Sequence, residues 1–135
     1  MGIEAIVPLK SLSSTKQRLA GVLSEVARQS LVMAMADDVL SQLRSHPEID
    51  KVSIVCGEGW SVAQFADPHL CLWQESALAV KGLNSALTAA LTKAECESVL
   101  LIHGDLPFLQ RVDITRVISA ASRVDVVLCP DQTSI

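Results

Sequence analysis

Val99-Leu100-Leu101-Ile102-His103-Gly104-Asp105-Leu106-Pro107 is the stretch on which the fold turns. Its apolar run is long enough for a strand buried on both faces, and it stops at a Gly-Asp pair with a proline two residues on. In an open α/β sheet, ligands bind at the carboxyl ends of the strands. A carboxylate placed there is a natural ligand for a divalent cation, and Asp105 is read as holding one for phosphate chemistry. An ordinary turn would use the same residue types, because Asp and Pro both favour turns.

Outward from this stretch, strand and helix patterns alternate. Ile3 to Val7 is a buried strand ended by Pro8. Ser24 caps a helix whose apolar positions Val26, Leu31, Val32, Met35, Val39 and Leu43 keep a helical period to about Arg44. His46-Pro47 ends that helix, and His46, like His69 after Pro68, reads as a turn residue without chemistry. Val52 to Cys56 is a second strand, broken by Gly57 and Gly59, and a short helix is expected from Trp60 to Ala66. Leu70 to Trp73 is a third strand, and Lys81 opens a helix running to about Ala94. The central strand runs from Ser98 to His103, Asp113 caps a helix from Ile114 to about Ala121, and Asp125 to Cys129 is a last strand. This alternation implies right-handed crossovers and a mostly parallel sheet covered on both faces. The 135 residues suit a single domain. No closing helix follows the last expected strand, so the domain is expected to be incomplete at its C-terminus.

Composition narrows the function. The formal net charge is −4 and aromatic residues make up 3% with no tyrosine, which disfavours nucleic-acid binding and base-stacking platforms. Half of the residues are hydrophobic, ample for one core, but no run is long enough to span a membrane. Cys56, Cys71, Cys96 and Cys129 form no C-x-x-C pair and read as small hydrophobes in a reducing compartment. With no signal-peptide pattern, a cytoplasmic protein is expected.

Three constellations could carry chemistry. In the loop from Pro8 to Arg18, small residues let backbone N–H groups approach an anion. Lys10 and Lys16 supply point charges there, and Arg18 supplies a planar fork. The loop is neither a Walker A sequence nor G-x-G-x-x-G, and it also fits a solvated surface loop. Gly82-Leu83-Asn84-Ser85 would let a nucleotide approach the backbone at Gly82 and meet the Asn84 amide, or it is plain helix entry with Asn84 or Ser85 satisfying free N–H groups. Gly104-Asp105-Leu106-Pro107 is the third. His103 beside it is more simply structural, whereas Asp131, at the end of the last expected strand, shares the predicted edge with Lys10 and Asp105.

Pro8-Leu9-Lys10, Lys16-x-Arg18-Leu19-Ala20, Gly82-Leu83-Asn84-Ser85-Ala86-Leu87 and Gly104-Asp105-Leu106-Pro107-Phe108-Leu109 occur in an order and spacing that resembles the guanylyltransferases of deazaflavin coenzyme (F-420) biosynthesis. Members of that family act on 2-phospho-L-lactate, phosphoenolpyruvate or 3-phosphoglycerate. The resemblance implies a three-layer α/β/α sandwich of the nucleotide-diphospho-sugar-transferase, Rossmann-like type. It implies that Lys10, Lys16 and Arg18 hold the phosphates of GTP, with Pro8, Leu9 and Ser11 in the same segment. By the same resemblance Gly82, Leu83 and Asn84 lie by the nucleotide, and Asp105 binds Mg²⁺. The implied partners are GTP and a small phosphorylated carboxylic acid. The sequence departs from the family at His103, where a small residue or proline is usual. It also lacks the family's later glycine-threonine-asparagine segment and a further acidic metal-site residue. A non-catalytic nucleotide-binding or interaction module of the same fold, self-associating as a homodimer to cover an unfinished sheet edge, is the alternative expectation.

Overall fold

The computed structural model describes residues 2–12, 20–60, 65, 70–78, 82–106 and 108–129. Its elements in chain order are β1 (Ile3–Leu9), α1 (Glu25–Ser45), β2 (Ile49–Cys56), β3 (Cys71–Gln74), α2 (Leu83–Thr92), β4 (Ser98–Leu101) and α3 (Arg111–Ala121). The strands lie in the order β3-β2-β1-β4, and all three pairings are parallel. Among the described residues, the outer edge of β4 carries no further strand.

Side chains alternate across β1 and so divide the core in two. Ala5, Val7 and Leu9 pack with Val52, Ile54 and Cys56 against α1 and Ile114 of α3. Ile6 and Val55 face the opposite way, onto Ala86 and Ala90 of α2. Helices thus cover both faces, which is the expected three-layer sandwich. Glu4 shares the α2 side but sits at the opposite end of the strand from the site described below. It is only 3% exposed, accepts from the Ser53 hydroxyl at 3.3 Å and pairs with Lys51 at 3.8 Å. Burial alone would lower the Lys51 pKa, but Glu4 and Glu95 outweigh it and hold the ammonium above its usual value.

The elements depart from the sequence expectation in instructive places. β1 runs through Pro8 to Leu9. The Ile6 carbonyl accepts from Ile102 and the Leu9 carbonyl accepts from Gly57, so backbone groups alternate between the β4 and β2 sides. Pro8, in phase with Ile6, turns its nitrogen to the β4 side beyond the last paired residue, Leu101. No ladder bond is lost there, and the proline is tolerated inside a central strand. Helix α1 starts as expected, with the Ser24 hydroxyl accepting from the Ala27 N–H at 3.1 Å. Its C-cap, His46, is buried, with its Nε2 2.8 Å from the Thr115 hydroxyl of α3.

Helix α3 begins earlier than expected. Its N-cap is Gln110, and Asp113 instead takes the third helical position, where its carboxylate accepts from the Gln110 N–H at 2.9 Å. That reciprocal arrangement satisfies two otherwise free donors, which a cap at Asp113 could not do. The expected last strand at Asp125–Cys129 is not paired as a strand: among the described residues it has no ladder partner, and Val126 and Leu128 are 72% and 86% exposed. An apolar run becomes a strand only where another backbone completes its hydrogen bonds. The expected short helix from Trp60 to Ala66 falls mostly outside the described residues, as does Asp131. Among the described residues no helix is long and apolar enough to cross a membrane.

Candidate active site at the carboxyl edge of the sheet

Because every pairing is parallel, all four strands end at the same edge. Lys10 follows β1, Gly57 follows β2, Gln74 ends β3, and His103-Gly104-Asp105 follows β4. The crossover from β3 brings the start of α2, at Gly82, to that edge as well. Lys10, Gly82, Asn84 and Asp105 are all exposed. The structure therefore brings together the described members of all three constellations, while Lys16 and Arg18 lie outside the described residues.

Local geometry explains each placement. Gly104 is buried, and a Cβ there would lie 2.5 Å from Leu9 Cδ2 and 3.4 Å from Val7 Cγ1. The absence of a side chain lets the turn after β4 rest on β1, and this sets Asp105 beside the end of that strand. Leu9 is buried in the core, so only the main chain of Pro8-Leu9 is placed to contribute at the edge. Ser11 is half-buried.

Gly82 is the N-cap of α2, with φ +92° and open space where a Cβ would be. The N-cap is a glycine, so it offers no side chain to the first-turn N–H groups, and among the described residues no side-chain cap bond closes this helix start. Uncapped first-turn N–H groups and the positive end of the helix dipole favour an anion. The Asn84 carbonyl accepts from the Thr88 hydroxyl at 3.1 Å, inside the helix.

A second layer of contacts was not singled out by the sequence. Trp60, 2% exposed, donates from its indole N–H to the Lys10 carbonyl at 2.8 Å. The Leu12 N–H donates to the Glu58 carbonyl at 2.8 Å, and the Gln74 side-chain amide donates to the Trp60 carbonyl at 2.8 Å. The one available signal was Gly57-Glu58-Gly59-Trp60, a tryptophan set into a glycine turn at a strand end, which read only as a strand terminator.

The donor set also bears on a metal. Among the described residues no three His, Cys, Asp or Glu side chains cluster as a metal cage. Asp105 is a single exposed carboxylate, a hard oxygen donor. That suits Mg²⁺, which keeps several waters and uses one or two carboxylates together with substrate phosphates. His103 is exposed.

Redox or thiol chemistry has no support at this edge. Cys56 is fully buried at the end of β2, and burial, with Glu75 adding to it, pushes its thiol up to about 11. Cys129 is exposed. In the folded protein at neutral pH, a thiol reagent should label Cys129 rapidly and reach Cys56 only on denaturation. Peptide mapping after timed labelling checks this, and fast native labelling of Cys56 would contradict the buried placement.

Comparison with known proteins agrees with the geometry. The family described as "Guanylyl transferase CofC like" matches residues 3–134. A phosphoenolpyruvate guanylyltransferase of Chloroflexus aggregans is 34% identical, over 93% of this chain and 64% of its own length. A 2-phospho-L-lactate guanylyltransferase of Methanocaldococcus vulcanius is 28% identical, over 94% of this chain and 55% of its own. The chain thus spans less than two-thirds of the length of these curated relatives. Among solved structures, a Desulfovibrio desulfuricans G20 protein assigned to the nucleotide-diphospho-sugar transferases superposes with a TM-score of 0.69 at 16% identity, covering 90% of this chain and 55% of that one. A 4-diphosphocytidyl-2C-methyl-D-erythritol synthase of Anaerococcus prevotii gives 0.59 at 16% identity, covering 99% and 61%. The structural likenesses show the fold, the matched residues show the family, and the chain belongs to the CofC-like guanylyl transferases.

Proposed function

We propose that this chain carries the nucleotide-binding edge of an Mg²⁺-dependent guanylyltransferase, which transfers GMP from GTP to a small phosphorylated carboxylic acid and releases pyrophosphate. Phosphoenolpyruvate, 2-phospho-L-lactate and 3-phosphoglycerate are the acceptors to test, and the product would serve coenzyme F-420 biosynthesis. The observation that supports this reading most is that Lys10, Asp105 and the uncapped start of α2 share one sheet edge.

In this reading the acceptor phosphate attacks the α-phosphorus of GTP and pyrophosphate leaves. No covalent enzyme intermediate is needed. Lys10, with Lys16 and Arg18 of the same loop, neutralises the triphosphate and the charge that builds on the leaving group. The first turn of α2 offers N–H groups to the nucleotide, with Gly82 allowing close approach and Asn84 within reach of its base or ribose. Asp105 would hold Mg²⁺, which supplies charge neutralisation at the reacting phosphates.

A thermal-shift panel of GTP, ATP, CTP and UTP, each with and without Mg²⁺, tests the binding half. Pyrophosphate release with the three acids tests the transfer. The reading predicts a GTP-selective, Mg²⁺-dependent stabilisation, and equal shifts for all four nucleotides would overturn the assignment of the donor. A second reading, a nucleotide-binding module without turnover that forms a homodimer, is favoured by the apolar side chains exposed at Leu101, Phe108, Val126 and Leu128. GTP binding by a dimer that releases no pyrophosphate would select it.

A further inference from the structure

The turn after β2 is built onto the loop after β1. A Cβ on Gly57 would fall 2.7 Å from the Ser11 backbone nitrogen and 2.9 Å from its Cα. Gly59, at φ +96°, would place a Cβ 2.8 Å from Leu12 Cβ. Both glycines therefore permit a backbone approach that any side chain would block. Across this contact run Gly57 N–H to the Leu9 carbonyl at 3.0 Å and Leu12 N–H to the Glu58 carbonyl at 2.8 Å.

Trp60 closes the arrangement. Its indole N–H holds the Lys10 carbonyl, its ring stacks on Phe65 at 5.8 Å between centroids, and its own carbonyl is held by Gln74. A hydrogen-bonded chain thus crosses the sheet edge from β3 through Trp60 to the first basic residue of the phosphate loop. Core packing alone would be satisfied by a phenylalanine. The indole adds a directed bond to the main chain of the residue whose ammonium is proposed to meet the phosphates.

We propose that Trp60 is a positioning residue for nucleotide binding, its indole N–H fixing the Lys10 main chain so that Lys10 meets the triphosphate from a preorganised backbone. This rests on the reading of the loop after β1 as the phosphate site. A loop fixed before binding loses less conformational freedom when the ligand arrives, and affinity rises accordingly.

The test is a double-mutant cycle on the full chain with Trp60→Phe, Lys10→Ala and the pair. Affinity for Mg-GTP and for guanosine is measured by calorimetry. Loss of a single such bond corresponds to roughly three- to tenfold in affinity. Trp60→Phe should weaken Mg-GTP by that factor and leave guanosine unchanged. The double variant should bind more tightly than the product of the two single losses, because both act through Lys10. Hydrogen exchange should quicken at the Leu12 amide.

Wild-type affinity in Trp60→Phe, or losses that multiply fully, would overturn the proposal while the phosphate loop stands. Wild-type affinity in Lys10→Ala would overturn the phosphate-loop reading, and this proposal with it. Should Trp60→Phe fail to fold, Gln74→Met decides: it frees the Trp60 carbonyl and keeps the ring. A weakened, phosphate-specific affinity coupled to Lys10 supports the proposal, and unchanged affinity with unchanged Leu12 exchange overturns it.

Discussion

Asp105→Asn should cost on the order of a hundredfold or more in GMP transfer, the usual scale for losing one preorganised charge partner of the reacting phosphates. Asparagine keeps the shape and the turn but removes the anionic oxygen that a hard cation requires. Because Asp105 is exposed, the substitution should affect the folding free energy far less than it affects transfer. The two measurements are pyrophosphate release at saturating GTP over a range of Mg²⁺ concentrations, and the urea midpoint. A variant that turns over at the original rate at low Mg²⁺ would remove Asp105 from the metal site. A variant whose stability falls with its activity would reduce it to a turn residue.

The largest stability effect should come from α1. Leu40 is fully buried, between Ala36 and Leu43 on the face that covers β1 and β2. Leu40→Ala leaves a cavity that a close-packed helix–sheet interface cannot collapse, and it should cost about 3–4 kcal/mol. Val26, on the same helix, is 75% exposed, and Val26→Ala should change stability by no more than about 0.5 kcal/mol. Urea unfolding of the two variants side by side checks this. Comparable losses would mean that α1 is rotated about its axis from the orientation described.

That pair of residues also shows what the sequence could and could not reveal. Counting large apolar residues at helical spacing located α1 and its ends, and the Ser24 cap is where the residue type required it. The same counting took Val26 and Leu31 into the core stripe and passed over Ala36 and Leu40. A small residue such as Ala36 carries little hydropathy, Leu40 directly follows the counted Val39 and so falls off a single three-or-four spacing, and an exposed valine carries as much hydropathy as a buried one. Strands behaved similarly. The runs at Ile3, Val52 and Ser98 are strands because parallel neighbours complete their ladders, whereas Asp125–Cys129 has the composition without a neighbouring strand among the described residues.

The placement of Lys10, Asp105, Gly82 and Asn84 at one sheet edge was legible because these residues sit just past apolar runs or at a glycine-led helix start. The clasp from Gln74 through Trp60 to Lys10 was not, since it depends on two loops fifty residues apart meeting at a sheet edge. Glycines 57 and 59 read as breakers, although their use is to let one backbone lie on another.

The strand order has a consequence for how the molecule is made. During synthesis β1 leaves the ribosome before β2, with which it pairs on one side, and long before Ser98–Leu101, with which it pairs on the other. A hub strand whose partners arrive so late gives a high contact order, hence slow maturation. Until β4 arrives, the nascent sheet has an unfilled slot along Ile3–Ile6, and the unpaired backbone N–H and C=O groups there are open to pairing with a neighbouring chain. Slowing translation between β2 and β4 would lengthen that exposure, so soluble yield should respond to codon choice in that interval more than to codon choice after Leu101.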